Sequence, residues 1–310
     1  MWHLSAHRGL SEASVNGDAL PTLSPAEVAA LLPPDLAEEP VTWLGEGTDH
    51  RVYRLGQARV LRFPKWSGRG EALRREAALL AALAPALPLS VPEVLGWGQP
   101  TPSCPEGFAV ARSLDGRSGL GVALPAPDQV GRSLGHFLNA LHRVPRSSID
   151  LPTDHDPTGA DWREAAHADL AAGGDLVNSA FWARVVDSPP PLDVSLVPIH
   201  GDFAAEHVLL NVAGLPCGVL DWADAALGDP ARDWAGLLHW AEPDLLAAAL
   251  AVAPQPAALL RRATWYATCR ALGDLAYGVA EGKEAYLRAG RRALDRLARG
   301  SVQAMGKPIL

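Results

Sequence analysis

The chain reads as an α+β protein of two lobes: a small antiparallel sheet with one key helix, then a mostly helical C-terminal part. Three observations predict this. At 310 residues the chain exceeds one typical domain of about 100 to 200 residues. Short runs of β-formers, broken by glycine and proline, fill the stretch from Val41 to Gly116. Beyond residue 127 helical periodicity rich in alanine and leucine takes over. The expected division gives residues 1–111 to the sheet lobe and 112–310 to the helical lobe, with residues 1–20, which show no clear period, as a loose extension.

The elements follow in order. Ser24-Pro25-Ala26-Glu27 has the form of a capping box with proline at the first helical position, starting a short helix that Pro33-Pro34 ends. Val41–Leu44, Arg51–Leu55 and Arg59–Phe63 read as a strand meander. Its first loop, Gly45-Glu46-Gly47-Thr48, lets the backbone approach a ligand and leaves amides for phosphate oxygens. Helical spacing follows from Gly68 to Pro85, then two strands in 87–98 and 107–116 around a proline-rich turn. Val130, Leu134, Phe137, Leu138 and Leu141 form one helical face, with His142 as a core or helix-end residue. Between Asp150 and Asp193 nine acids face only Arg163 and Arg184, which reads as a solvated helical face or as a surface that draws in a cation.

The chemistry gathers from His200 to Trp240. His207–Asn211 and Gly218–Trp222 flank Gly214 and Pro216 as a hairpin. A turn centred on Gly214 sets His207 opposite Asp221, about 5 Å apart at Cβ, where His200-Gly201-Asp202 enters. Two carboxylates and two imidazoles then share one edge. Metal-assisted phosphoryl transfer needs that inventory: one carboxylate to orient the attacking hydroxyl, another with a partner to hold the divalent ion. Beyond the hairpin, Asp229-Pro230 has the form of an N-cap with proline at N1, and Asp233 lies one turn on. Further helices are interrupted at Pro254 and Pro256.

His200-Gly-Asp202 with His207, then Val-Leu-Asp221-Trp222, then Asp229-Pro230 and Asp233, resembles the pattern of the aminoglycoside and macrolide phosphotransferases, antibiotic kinases with the protein-kinase fold. The resemblance implies that Asp202 is the catalytic-loop aspartate and Asp221 the metal-binding one, with His207 beside it, and with His200 and Asp233 supporting the loop. Most of that family has asparagine where this chain has His207; histidine is similar to the macrolide kinases. Mg2+ is the implied ion, with Mn2+ tolerated because manganese accepts imidazole more readily. ATP or GTP is the implied donor. Gly45 and Gly47 would cover its phosphates, Arg62 held by Glu76 would neutralise them, and backbone groups of Val110, Arg112 and Leu114 would meet the base at the hinge. Lys65 competes with Arg62, because lysine occurs only at 65, 283 and 307 and arginine supplies nearly every other cation.

Composition bounds the partners. A net charge of −8 argues against nucleic acid. Cys104, Cys217 and Cys269 are odd in number and widely spaced, which fits a reducing cytoplasm rather than a disulfide or zinc framework. No run approaches the ~18 apolar residues of a membrane span. The expected partners are a nucleoside triphosphate and a hydroxylated small molecule. Trp162, Trp182, Trp240 and Trp265, beside the expected core residues Trp222 and Trp234, offer flat apolar surface for a macrolide; the acidic segment favours an aminoglycoside or basic peptide. The histidine variant tips the expectation to macrolides. Two other classes stay open: a nucleotide-binding module without turnover, and a hydrolase using His200, Asp202, His207 and Asp221 as a transition-metal site.

Overall fold

The computed structural model describes residues 17–156, 158–191 and 195–305. Ser24 caps α1 (Pro25–Ala30): its hydroxyl accepts from the Glu27 amide, and the Glu27 carboxylate accepts from the Ser24 amide at 2.7 Å. There follow β1 (Val41–Glu46), β2 (His50–Leu55), β3 (Arg59–Pro64), α2 (Gly70–Leu83), β4 (Val94–Gly98) and β5 (Phe108–Arg112). The strands form one antiparallel sheet in the order β1-β2-β3-β5-β4.

Strand alternation divides this sheet into two faces. On one, Tyr53, Leu55, Leu61, Phe63, Phe108 and Val110 pack with Val28 of α1. Phe63 stacks on Phe108 with centroids 4.5 Å apart, and Tyr53 meets Phe63 edge-on at 5.4 Å; such pairs contribute about 0.5–1.5 kcal/mol each beyond area burial. On the other, Val52, Val60 and Ala111 cluster separately above the cleft. Arg62, two residues beyond Val60, shares that inner face.

The loose extension expected over residues 1–20 falls outside the described residues up to position 16. From Gly17 on it is corrected: the Leu20 amide donates to the Lys65 carbonyl at 2.8 Å and the Ser67 amide to the Asp18 carbonyl at 3.0 Å. Backbone groups leaving β3 require partners, and this segment supplies them.

In the C-terminal part β6 (Arg117–Ser118) joins β8 (Val208–Leu210) and β9 (Pro216–Val219) in one small sheet, while β7 (Val197–Ile199) pairs with β10 (Ala226–Gly228). Around them pack α3 (Pro127–Leu141), α4 (Ala160–Gly173), α5 (Ser179–Val186), α6 (Ala231–Trp240), α7 (Pro243–Val252), α8 (Ala257–Ala280) and α9 (Glu284–Met305). The stripe expected on α3 is its buried face, and one large core runs from α3 through α6 to α8. At Gly236 of α6 a Cβ would collide with the Phe203 carbonyl, so only glycine lets this helix seat directly on the loop after Asp202.

The acid-rich stretch is not one solvated face. Asp156 is buried and caps α4, accepting from the Ala160 amide at 2.9 Å and the Asp161 amide at 3.0 Å. Asp154 is buried against Arg232 at 2.6 Å, and Asp187 pairs with His167 at 2.8 Å. Each of these carboxylates already has a structural partner. Asp193 and the side chain of Asp175 lie outside the described residues.

Candidate active site

The hairpin register differs by one residue from the expected one. Val208 faces Val219 and Leu209 faces Gly218, with a bulge before Leu210 and Pro216. The Leu220 amide donates to the His207 carbonyl at 2.8 Å, so His207 stands opposite Leu220 and not Asp221. The cause is the turn. Asn211 Oδ1 accepts from the amides of Ala213 at 2.9 Å and Leu215 at 3.1 Å, which moves the hairpin axis off Gly214. A one-residue slip would send Asp221 to the far face. Instead its backbone takes the left-handed conformation, φ 62°, which aspartate tolerates better than most residues, and its carboxylate returns to 3.5 Å from His207 Nε2.

Asp233, in the first turn of α6, carries the loop before Asp202. It is fully buried, and its oxygens accept from the amides of His200 and Gly201 at 3.0 Å each and from His142 Nε2 at 2.9 Å. Burial opposes its charge, but the His142 and backbone donors outweigh that and hold its pKa below the usual value. Asp229 likewise caps α6, accepting from the Ala231 amide at 3.0 Å, and is gripped by Arg262 at 2.6 Å. Gly201 has φ 83°, and a Cβ there would strike the Asp224 carbonyl.

His200 is sealed against Trp222, with ring centroids 4.7 Å apart. Its Nε2–H donates to the Leu220 carbonyl at 2.9 Å, and its Nδ1 accepts from the Asp202 amide at 3.3 Å. Burial pushes its pKa down to about 4, so it is neutral at pH 7. With both nitrogens engaged, His200 buttresses the loop and has no lone pair for a metal.

His207 donates from Nδ1 to the Asp202 carbonyl at 2.7 Å and lies between the carboxylates of Asp202, at 3.6 Å, and Asp221, at 3.5 Å. Burial works against its charged form, yet the two aspartates prevail and raise its pKa. Asp221 is raised as well, by burial first, against the lowering effect of His207. Asp202 Oδ1 accepts from Arg270 of α8 at 2.7 Å, and the same guanidinium lies 3.4 Å from Glu206. Asp224, three residues past Asp221, lies within electrostatic reach of Asp202 and Asp221. Loss of hydration around the carboxyl, then the charges of Asp202 and Asp221, push it up to about 7.

Across the cleft Arg62 grips Glu76 with two parallel bonds, 2.8 Å and 3.0 Å, and Glu76 is buried. Arg62 Nη2 also donates to His50 Nδ1 at 3.4 Å; burial and Arg62 hold His50 well below its usual pKa and therefore neutral. Lys65 does not compete for this position: its Nζ donates to the Gly47 carbonyl at 2.8 Å and pins the glycine loop. Val52, Val60 and Ala111 roof the cleft, Leu220 and Asp221 floor it, and Gly47, Arg112 and Leu114 stand at its edges.

The cleft thus brings together Gly47, Arg62, Arg112, Leu114 and Asp221 of the expected nucleotide and metal residues. Gly45 is placed elsewhere, and Val110, expected to offer its backbone to the base, turns its side chain away from the cleft. The Val110 side chain packs on the outer face with Phe108, because strand parity gives the inner position to Ala111. Gly45 lies at a bulge of β1 and does not line the cleft. Arg270, Glu206 and Asp224 were not expected from the sequence. Asp224 alone left a signal, an acid three residues past Asp221; nothing local marks Arg270, which arrives from a helix far along the chain.

Residues 41–266 match the model of the phosphotransferase enzyme family, APH. The chain is 28% identical over 198 residues to the uncharacterized protein YcbJ of Bacillus subtilis (strain 168), covering 58% of this chain and 62% of that relative's length. Among solved structures it resembles the GDP complex of wild-type aminoglycoside 2'-phosphotransferase-IIIa, with TM-score 0.64, 21% identity and coverage of 86% and 95% of the two chains. It also resembles macrolide 2'-phosphotransferase MphH from Brachybacterium faecium, with TM-score 0.56, 27% identity and coverage of 82% and 91%. The fold is that of the antibiotic kinases, and the chain belongs to the phosphotransferase enzyme family.

Proposed function

We propose that the protein transfers the γ-phosphoryl group of ATP or GTP to a hydroxyl of an antibiotic-like small molecule in the cytoplasm, and thereby confers resistance. One observation carries the reading: Asp202 and Asp221 flank His207, and Asp221 floors a cleft that Arg62, clamped by Glu76, also lines. The proposed lobe boundary at residues 111 and 112 puts the hinge at the edge of that cleft.

The donors fit a divalent ion, since the Asp221 carboxylate and His207 Nε2 face one another at 3.5 Å with His207 Nδ1 fixed by the Asp202 carbonyl. Mg2+, or Mn2+ in its place, would draw charge from the phosphate oxygens. Arg62 neutralises the remaining phosphate charge. Asp202 orients the acceptor hydroxyl and takes its proton late, as a loose transition state requires. Asp233 and His200 keep the loop in place. The hydrolase alternative loses support because His200 has no nitrogen left for a metal.

For the acceptor, a macrolide-like apolar polyol fits better than an aminoglycoside. Three of the nine acids that would attract a polycation, Asp154, Asp156 and Asp187, are engaged in structural pairs. The cavity beside the catalytic loop, about 330 Å³, is walled by Leu120, Val122, Leu124 and Trp240. Phosphate incorporation with ATP and GTP across macrolides and aminoglycosides is the test, with Asp221→Ala as control. Turnover of macrolides that Asp221→Ala abolishes is the expected result; turnover confined to aminoglycosides sinks the acceptor assignment, and no turnover with any acceptor favours the binding-module reading.

A further inference from the structure

Helix α2 carries Glu76, the acid that grips Arg62, yet the Arg69 side chain at its N-cap position makes no capping bond. Amides at a helix start need acceptors, and here one arrives from 36 residues along the chain. Glu106, in the turn between β4 and β5, accepts from the Gly68 amide through Oε1 at 2.6 Å and from the Gly70 amide through Oε2 at 2.9 Å. A carboxylate at that end also complements the helix dipole. The fit is close: a Cβ on Gly70 would come 2.7 Å from the Glu106 carbonyl oxygen and 2.8 Å from its Oε2, so glycine is what admits the carboxylate.

The turn that presents Glu106 is itself fixed. Thr101 and Cys104 exchange backbone bonds at 3.0 Å each, Cys104 Sγ donates to the Gly107 carbonyl at 3.3 Å, and Cys104 is buried with Phe108 in the outer-face core of the sheet. The far half of α2 belongs elsewhere: Leu79, Leu80 and Leu83 pack in the large core that runs through α3, α6 and α8. One helix is thus tied at its start to the sheet and at its end to the helical core. Glu76 lies between, about 9 Å along the axis from Gly70. Arg74, over the Trp97 ring of β4 at 4.6 Å, touches the same end of α2. A stacked cation fixes position less closely than two hydrogen bonds aimed at one carboxylate.

We infer that Glu106 is a positioning residue for phosphoryl transfer: by latching the start of α2 to the sheet it holds Glu76 in register with Arg62, so that the guanidinium stays aimed into the cleft. The inference rests on the kinase reading above for the phosphate that Arg62 meets. Glu106 does not line the cleft and acts through Glu76.

The test is a cycle in the full chain of Glu106→Ala, Glu76→Ala and the double variant, each titrated with magnesium and ATP or GTP and each melted. Glu106→Ala should weaken nucleotide binding about tenfold in the wild-type background and less than about twofold on top of Glu76→Ala, because its effect passes through that acid. The melting temperature should fall in both backgrounds alike. Glu106→Gln, which keeps one acceptor oxygen, should recover part of the affinity, and Gly70→Ala, which crowds the carboxylate, should copy Glu106→Ala. An equal loss of affinity in both backgrounds, or lowered melting with unchanged affinity, overturns the inference and leaves Glu106 as a helix cap only. Hydrogen exchange without nucleotide separates this from the kinase reading. Amides of residues 73–77 should exchange about fivefold faster in Glu106→Ala, while those of 80–83 keep their protection. A wild-type chain that binds neither nucleotide sinks the kinase reading; the exchange then decides alone whether Glu106 holds Glu76, and an unchanged rate at 73–77 sinks that too.

Discussion

Two arginine clamps serve the candidate site, and they work in opposite directions. Arg62 of β3 is gripped by Glu76 through two bonds at 2.8 Å and 3.0 Å; the acid faces the interior and the arginine is what the clamp presents. Arg270 of α8 holds Asp202 at 2.7 Å and approaches Glu206 at 3.4 Å; here the arginine is buried and the acid is what the clamp presents. In the proposed reaction one pair would fix a cation toward phosphate, and the other a carboxylate toward the acceptor. The same chemical bond thus positions either member, and burial decides which one remains available.

The comparison breaks most sharply at the second clamp. Asp202→Ala should lower kcat by about 10²–10⁴-fold with nucleotide affinity nearly unchanged, because the carboxylate acts on the reacting hydroxyl. Turnover within about tenfold of wild type would remove Asp202 from the chemistry. Arg270→Ala should lower kcat less, move the acid side of the pH–rate profile upward, and cost about 3–5 kcal/mol of stability, since two carboxylates lose their cation in a buried site. Arg270→Lys should recover part of kcat. An unmoved pH profile with lost stability would make Arg270 a packing residue only.

At the first clamp the effect is smaller and its form is the diagnostic. Arg62 and Glu76 order each other, so their loss in kcat/KM should not add; a double-mutant cycle with alanine should show coupling of about 0.5–3 kcal/mol. Additive losses would mean that Arg62 reaches the phosphates without Glu76.

Only the first clamp was legible in the sequence, and the reason is physical. Arg62 and Glu76 sit on a strand and the helix that follows it, so alternation on β3 and spacing on α2 bring them together. Strand parity also put Ala111 rather than Val110 over the cleft, a rule available from the residues alone. The hairpin was readable as a hairpin. Its register was not, because the Asn211 side chain and a bulge set the turn, and the left-handed φ of Asp221 then restored the side the slip had lost. Arg270 belongs to a long helix whose packing is tertiary, and its approach to Asp202 leaves no periodic trace. The acidic stretch misled for the same reason: Asp154 and Asp156 look like surface charge until Arg232 and the start of α4 are in place.

The smallest expected effect concerns the carboxylate without a clamp of its own. Asp224 lies near Asp202 and Asp221, but the nearby Arg232 is committed to Asp154 at 2.6 Å and to the Gly201 carbonyl at 3.2 Å. Loss of hydration and the two neighbouring carboxylates therefore raise its carboxyl to about 7. A raised folded-state pKa means that the folded chain holds this proton after the unfolded chain has released it. Stability then falls as pH rises from the ordinary aspartate value, about 3.9, toward 7, and the loss persists above 7. Asp224→Asn removes that titration while keeping the shape of the side chain. Melting temperatures of the two proteins should be close near pH 4, and the variant's advantage should grow up to about pH 7 and then level off. A constant difference across that range would show that Arg232 serves Asp224 as well as Arg270 serves Asp202, and the contrast between clamped and unclamped carboxylates would fall.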